Sequence, residues 1–148
     1  GGGSSFTNFG LFDCNNVPKP IATALHNLTT ILHDTSGSFT PSTLSYSITG
    51  LPVQTAFQTQ GGGYTFQVQK SNGHYFVPIW NEAQIWTFNA RSSNVVNPVA
   101  ISVSFGTTPS SVKVYDPLKS TDPIQILYKS NPVGLALGAD ALILEVIP

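Results

Sequence analysis

The chain has 148 residues, 41% of them hydrophobic and only 9% charged, with a formal net charge of −1. That is enough chain for one domain with a buried core, and the apolar share excludes a chain disordered by composition. Charged residues usually reach about 25%, so Ser, Thr, Asn and Gln must supply the polar surface, as suits an extracellular protein meeting neutral polymers. The absence of any basic run argues against nucleic acid as a partner.

In chain order, Gly1 to Ser5 reads GGGSS, without the charged and apolar regions of a secretory leader. It is expected to be flexible, either an artificial linker or the loop leaving an earlier element. The next stretch, FGLFDCNNVPKPIATALHNLTTIL over 9–32, reads as a lead-in loop, a turn and one amphipathic helix. Asn16 is the expected cap, and Pro18 and Pro20 suit a first turn with no N–H partners to lose. Ile21, Ala24, Leu25, Leu28, Ile31 and Leu32 then recur at helical spacing as one apolar stripe. A lone helix of this length is marginal in water, so the stripe must be covered. The cover is either this chain's own sheet, with self-association through the helix second, or another body. Cys14 is the only cysteine, so no internal disulfide can form, and it is expected to be buried in the turn.

The wording of this segment resembles the end of the catalytic barrel in secreted bacterial glycoside hydrolases of the (β/α)8 type, especially relatives of family 39. In that group a similar phrase forms the last loop and last helix of the barrel, and a C-terminal β-sandwich follows. VPIWNEAQIW (77–86) and VKVYDPLKSTDPIQIL (112–127) are similar to that sandwich. The resemblance implies two parts: 1–34, the loop and last helix of a catalytic barrel otherwise missing, and 35–148, the accessory sandwich. The implied partner is the barrel of the parent enzyme.

After residue 38, short alternating runs are separated by turn residues. Strands are expected at 44–49, 64–70, 75–81, 84–88, 99–105, 111–115, 124–128 and 141–147, an antiparallel β-sandwich of about eight strands with one N-terminal helix. An open barrel is the competing arrangement. Gly61 to Gly63 is a flexible connection rather than a phosphate loop, since no Lys-Ser/Thr and no helix follow. No uninterrupted apolar run is long enough to span a bilayer.

Ser71-Asn72-Gly73-His74 predicts a hairpin with a two-residue type I′ turn, because Asn-Gly tolerates positive φ at both central positions. That turn would place Val68 opposite Val77 and Phe66 opposite Ile79, all four facing the core. The other face would carry Thr65, Gln67 and Gln69 beside Phe76, Pro78 and Trp80. Rings for a pyranose face and amides for its hydroxyls could bind carbohydrate, with Trp86 and Tyr75 extending the surface. The same mixture suits an interface against a catalytic barrel or an ordinary buried sheet face.

Asn81-Glu82 resembles the acid/base pair that ends the fourth barrel strand in many such hydrolases. Retaining chemistry needs a second carboxylate about 5 Å away in a cleft. Here the pair lies in the β-rich part, in the wrong domain for that role, and the only other glutamate is Glu145 on the last apolar strand. No catalytic residue is therefore expected. His26 and His33 fall on the polar side of the helix and His74 at a hairpin tip, a spacing that does not suggest zinc. Asp13, Asp34, Asp116, Asp122 and Asp140 lie near turns, where Asp bonds its own backbone. Only a calcium site assembled from separate loops stays open. Asn27-Leu28-Thr29 matches a glycosylation sequon placed mid-helix. These readings converge on a secreted, non-catalytic accessory β-sandwich that packs on a catalytic barrel, with no cofactor. The alternative is a carbohydrate-binding module for a neutral polysaccharide.

Overall fold

The computed structural model describes residues 10–35, 37–53 and 61–148; the GGGSS reading lies outside them. One helix, α1 (Pro20–Leu32), precedes eleven strands: β1 (Tyr46–Thr49), β2 (Gly63–Thr65), β3 (Val68–Gln69), β4 (Tyr75–Asn81), β5 (Trp86–Thr87), β6 (Ser92–Ser93), β7 (Val99–Phe105), β8 (Ser111–Tyr115), β9 (Gln125–Tyr128), β10 (Val133–Leu137) and β11 (Leu142–Ile147). All described pairings are antiparallel. The smaller sheet runs β1-β7-β10. The larger runs β2-β4-β11-β8-β9, with β3 also on β4, and β5-β6 form a separate hairpin. The expected β-sandwich is present, with β6 and β10 added to the expected strands and 64–70 split in two.

Alternation builds the core. Ile101, Val103 and Phe105 of β7 and Val133 and Leu137 of β10 face Val77 and Ile79 of β4, Val112 and Val114 of β8, and Leu142, Leu144 and Val146 of β11. A second, smaller core lies on the opposite face of the larger sheet. There Phe76, Tyr115 and Ile143 meet Leu28, Ile31 and Leu32 of α1. The architecture is thus two sheets plus a helix on the outside of the larger one.

Three local expectations are corrected. The helix begins at Pro20, capped by the backbone of Lys19 without a side-chain cap bond. Asn16 does not cap it; it sits at φ 61° in a tight turn. That turn forms because the Asp13 carboxylate accepts the N–H groups of Asn15 and Val17 at 2.8 and 2.9 Å, closing a bridge between Phe12 and Pro18. Cys14 is exposed rather than buried, since the Asp13 bonds satisfy the turn from within and leave the thiol outside.

The third correction is the hairpin register. The loop has three residues: Lys70 N–H reaches His74 O at 2.9 Å, and Gly73 N–H returns to Lys70 O at 2.9 Å. Gly73 alone takes positive φ, at 84°, while the Asn72 side chain accepts the His74 N–H at 3.0 Å. Asn72 is used as a side-chain acceptor, so the turn is a three-residue loop with glycine in the left-handed position, not type I′. Val68 therefore pairs with Phe76, and Thr65 with Ile79. A one-residue slip sends every side chain to the other face. Phe66 and Val68 join Phe76 and Trp80, whereas Thr65, Gln67 and Gln69 lie on the Tyr75, Val77 and Ile79 side. The break between β2 and β3 falls opposite Pro78, which has no N–H to give the ladder.

Candidate functional site

The helix stripe is broader than the surface that covers it. At about 100° per residue, Ile21 and Leu25 sit near one flank of the apolar arc and Asn27 and Ile31 near the other, roughly 120° away. The larger sheet takes the second flank. Ile31 is 7% exposed, and the Asn27 amide donates to Pro117 O at 2.8 Å. The first flank stays in water, with Ile21 59% and Leu25 44% exposed. The turn before the helix adds Leu11, Phe12 and Val17, also exposed, and Lys19 N–H bonds Leu11 O at 2.8 Å. Turn and helix thus each present uncovered apolar residues, tied together at the Lys19–Leu11 backbone bond.

A polar network fixes the orientation of α1. Lys70 Nζ donates to Ile31 O at 2.7 Å and lies 4.1 Å above the Phe76 ring. Burial pulls the Lys70 ammonium below its ordinary value, opposed by the charges of Glu145 and Asp34. The Asp34 carboxylate accepts Ser71 N–H at 2.9 Å and Ser71 Oγ–H at 2.7 Å. Beneath lies Glu145, only 7% exposed on the helix-covered face. Tyr115 donates to its Oε2 at 2.6 Å, Lys113 Nζ stands 3.2 Å from Oε2, and His74 Nδ1 lies 2.7 Å from Oε1. Burial pushes the Glu145 carboxyl up, but the bonds from Tyr115, His74 and Lys113 outweigh it and hold it below the usual value. The Tyr115 hydroxyl is raised, by burial first and then by its bond to Glu145. Both carboxylate oxygens of Glu145 are engaged, so the group is built to carry structure.

The structure separates the residues expected to form a carbohydrate surface. Phe76 (2% exposed) and Tyr75 (8%) are buried, on opposite faces. The Gln69 carbonyl accepts Ser42 N–H at 2.7 Å, and Ser42 Oγ bonds the Tyr75 hydroxyl. Gln67 Oε1 is buried without a hydrogen-bond partner. Neither glutamine stands beside Trp80, because the corrected register turns both to the other face. What accompanies Trp80 was not expected there from the sequence: Tyr64 stacks on it at 5.6 Å with planes 25° apart, and Phe66, expected at the core, meets it edge-on at 6.0 Å. Tyr64, Phe66 and Val68 are all more than a third exposed, so an aromatic patch remains on this sheet beyond the reach of the helix. A three-residue loop ending in Gly73 would have revealed it.

Trp86 belongs to a different feature, the β5-β6 hairpin, where Ile85, Trp86, Phe88 and Val95 are exposed. Glu82 is also exposed, just past the end of β4, its N–H bonded to Gly62 O at 2.9 Å. Asn27 of the sequon is buried and bonded, and in this fold its amide faces protein. Among the described residues no three His, Cys, Asp or Glu side chains gather as a metal set, and no helix is long and apolar enough to cross a membrane. Compared with family models and with curated proteins, the chain matches none.

Proposed function

We propose that the chain is a non-catalytic accessory β-sandwich of a secreted glycoside hydrolase, one whose α1 closes a (β/α)8 barrel of the kind the 9–32 segment resembles. The carrying observation is the divided stripe of α1. One flank is locked to the sandwich by Asn27, Ile31 and Lys70, and the other is left open beside Leu11, Phe12 and Val17. A helix shared in this way joins two bodies, and uncovered apolar residues in this number are the mark of an association surface. The sandwich's role is then to hold the last barrel helix in place and stabilise the barrel behind it.

Extending the chain upstream along its reading frame tests this reading. The longer protein is expected to hydrolyse aryl-glycosides or polysaccharides, and the 148-residue chain none. An upstream sequence encoding no barrel would sink the proposal, as would turnover by the short chain that is lost in Glu82→Gln.

A second reading has its own observation. The stacked Tyr64–Trp80 pair with Phe66 beside it is a platform on which a sugar ring could lie. Retention of the chain on insoluble glucan, xylan or chitin, abolished in Trp80→Ala, would favour carbohydrate binding by this face.

A further inference from the structure

The smaller sheet ends at β10, and the hydrogen bonds of Asn131 show which backbone groups of that strand face outward. The Asn131 side chain accepts Phe105 N–H at 3.0 Å and donates to Phe105 O at 2.8 Å, so Phe105 turns both groups toward the β10 side. Backbone groups alternate in direction along a strand, so Val103, Ile101 and Val99 do the same. Their partners Val133, Leu135 and Leu137 answer them. Ser104 and Ser102 face β1 instead, in keeping with the bond from Gly106 N–H to Ser45 O at 2.9 Å. Gly134 and Ala136 therefore point N–H and C=O away from the sheet. Neither residue has a hydrogen-bond partner for these groups among the described residues.

Sheet edges are normally guarded by charge, proline or a bulge. The strand Val133-Gly134-Leu135-Ala136-Leu137 itself has none of these, Pro132 standing just before it, and among the described residues nothing lies within 4 Å of where a Cβ on Gly134 would be. A cleft of about 650 Å³ opens beside this edge, walled by Ile101, Val114, Leu135 and Leu142.

We propose that β10 is the site where a second copy of this chain adds, antiparallel, to join the two small sheets into one of six strands. The open groups lie symmetrically about Leu135. A two-fold axis there sets Gly134 against Ala136 of the partner subunit, and the reverse, so two pairs exchange their bonds. Only a hydrogen and a methyl occupy these positions, so neither side chain adds bulk at the join. The strand is uncharged and the whole chain carries only −1, so copies do not repel strongly. This surface is separate from the open flank of α1, and the proposal stands or falls independently of the catalytic parent.

Sedimentation equilibrium of the 148-residue chain over a range of concentrations is the test. The expected result is a monomer–dimer equilibrium that stops at two copies. Ala136→Pro removes one outward N–H and leaves the bonds to β7 in place. It should raise the dissociation constant about tenfold or more while the melting curve is kept; Leu25→Asp should leave the equilibrium alone. If Ala136→Pro disturbs the fold, amide exchange on the unaltered chain decides, with Gly134 and Ala136 gaining protection as concentration rises. A chain that stays monomeric, or a dimer broken by Leu25→Asp and not by Ala136→Pro, overturns the proposal. So do assemblies growing past two copies, which would mean head-to-tail pairing, and exchange at Gly134 and Ala136 that ignores concentration.

Discussion

Glu145 is a single charge on the last strand, yet it organises the face on which the helix rests. Removing it would take the ion-pair partner from Lys113 and leave the Tyr115 hydroxyl without its acceptor beside α1. Glu145→Ala should therefore lower stability by about 3 kcal/mol, the low end for breaking a buried pair because Lys113 still reaches water. Denaturant unfolding measures this. Its pH dependence has a definite sign. The native carboxyl is held below its ordinary value of 4.5, so the folded state keeps the charge to lower pH than the unfolded chain does. The Glu145 contribution is full above the ordinary value and is lost as pH falls through the native one. Unfolding curves from about pH 6 down to about pH 3 should show stability falling in that acid window, less steeply in Glu145→Gln. Identical slopes would remove Glu145 from the account. At the same scale, Phe76 and Trp80 share a strand face and differ in fate. Phe76→Ala should cost about 3–5 kcal/mol as a core truncation. Trp80→Ala, at a partly exposed ring stacked on Tyr64 with Phe66 edge-on, should cost less in the same melting experiment. An equal loss from both would mean that the Trp80 patch is covered within this chain.

Among the elements, α1 tests how the two flanks divide. Ile31→Ala should lower stability by about 2–5 kcal/mol and Asn27→Ala by about 1–3 kcal/mol, the second because Pro117 O loses its buried donor. Chemical denaturation reads both, and no change in either would mean that the helix is not docked as described. The elements also show what a sequence can and cannot reveal. The helix was legible from its 3.6 period, β7 and β8 from their alternation, and β4 and β11, with the inward Val77 and Ile79, as apolar runs of strand length between turn residues. β10 was not, because Gly134 and Ala136 have poor strand preference and its inward set, Val133, Leu135 and Leu137, is decided by the neighbouring β7. The hairpin failed for a narrower reason. Asn72-Gly73 serves a two-residue or a three-residue loop, and the choice, made through the Lys70 and His74 bonds, shifted 65–69 by one place. That shift dissolved the expected glutamine and tryptophan surface and exposed the Tyr64, Phe66 and Trp80 one instead.

For the whole molecule, the sandwich holds a continuous core between its sheets and uses the outer face of the larger sheet for one flank of a helix. Local patterns gave both parts, but the orientation of α1 about its own axis was hidden, since six apolar residues in one arc do not say which of them meets the sheet. That orientation is held by Asn27, Lys70 and Asp34, polar residues whose partners lie far along the chain. It leaves Ile21 and Leu25 facing outward and underlies the proposed place beside a catalytic barrel. The most direct measurement is the melting of Ile21→Asp/Leu25→Asp in two lengths of the protein, the 148-residue chain and the same chain extended upstream through its reading frame. In the short chain both positions already face water, so the change should stay within about 0.5 kcal/mol. In the long chain the same two charges should be driven into an apolar contact and lower the melting transition and the lifetime of glycosidase activity together. A long chain that tolerates both substitutions as well as the short one does would contradict the account.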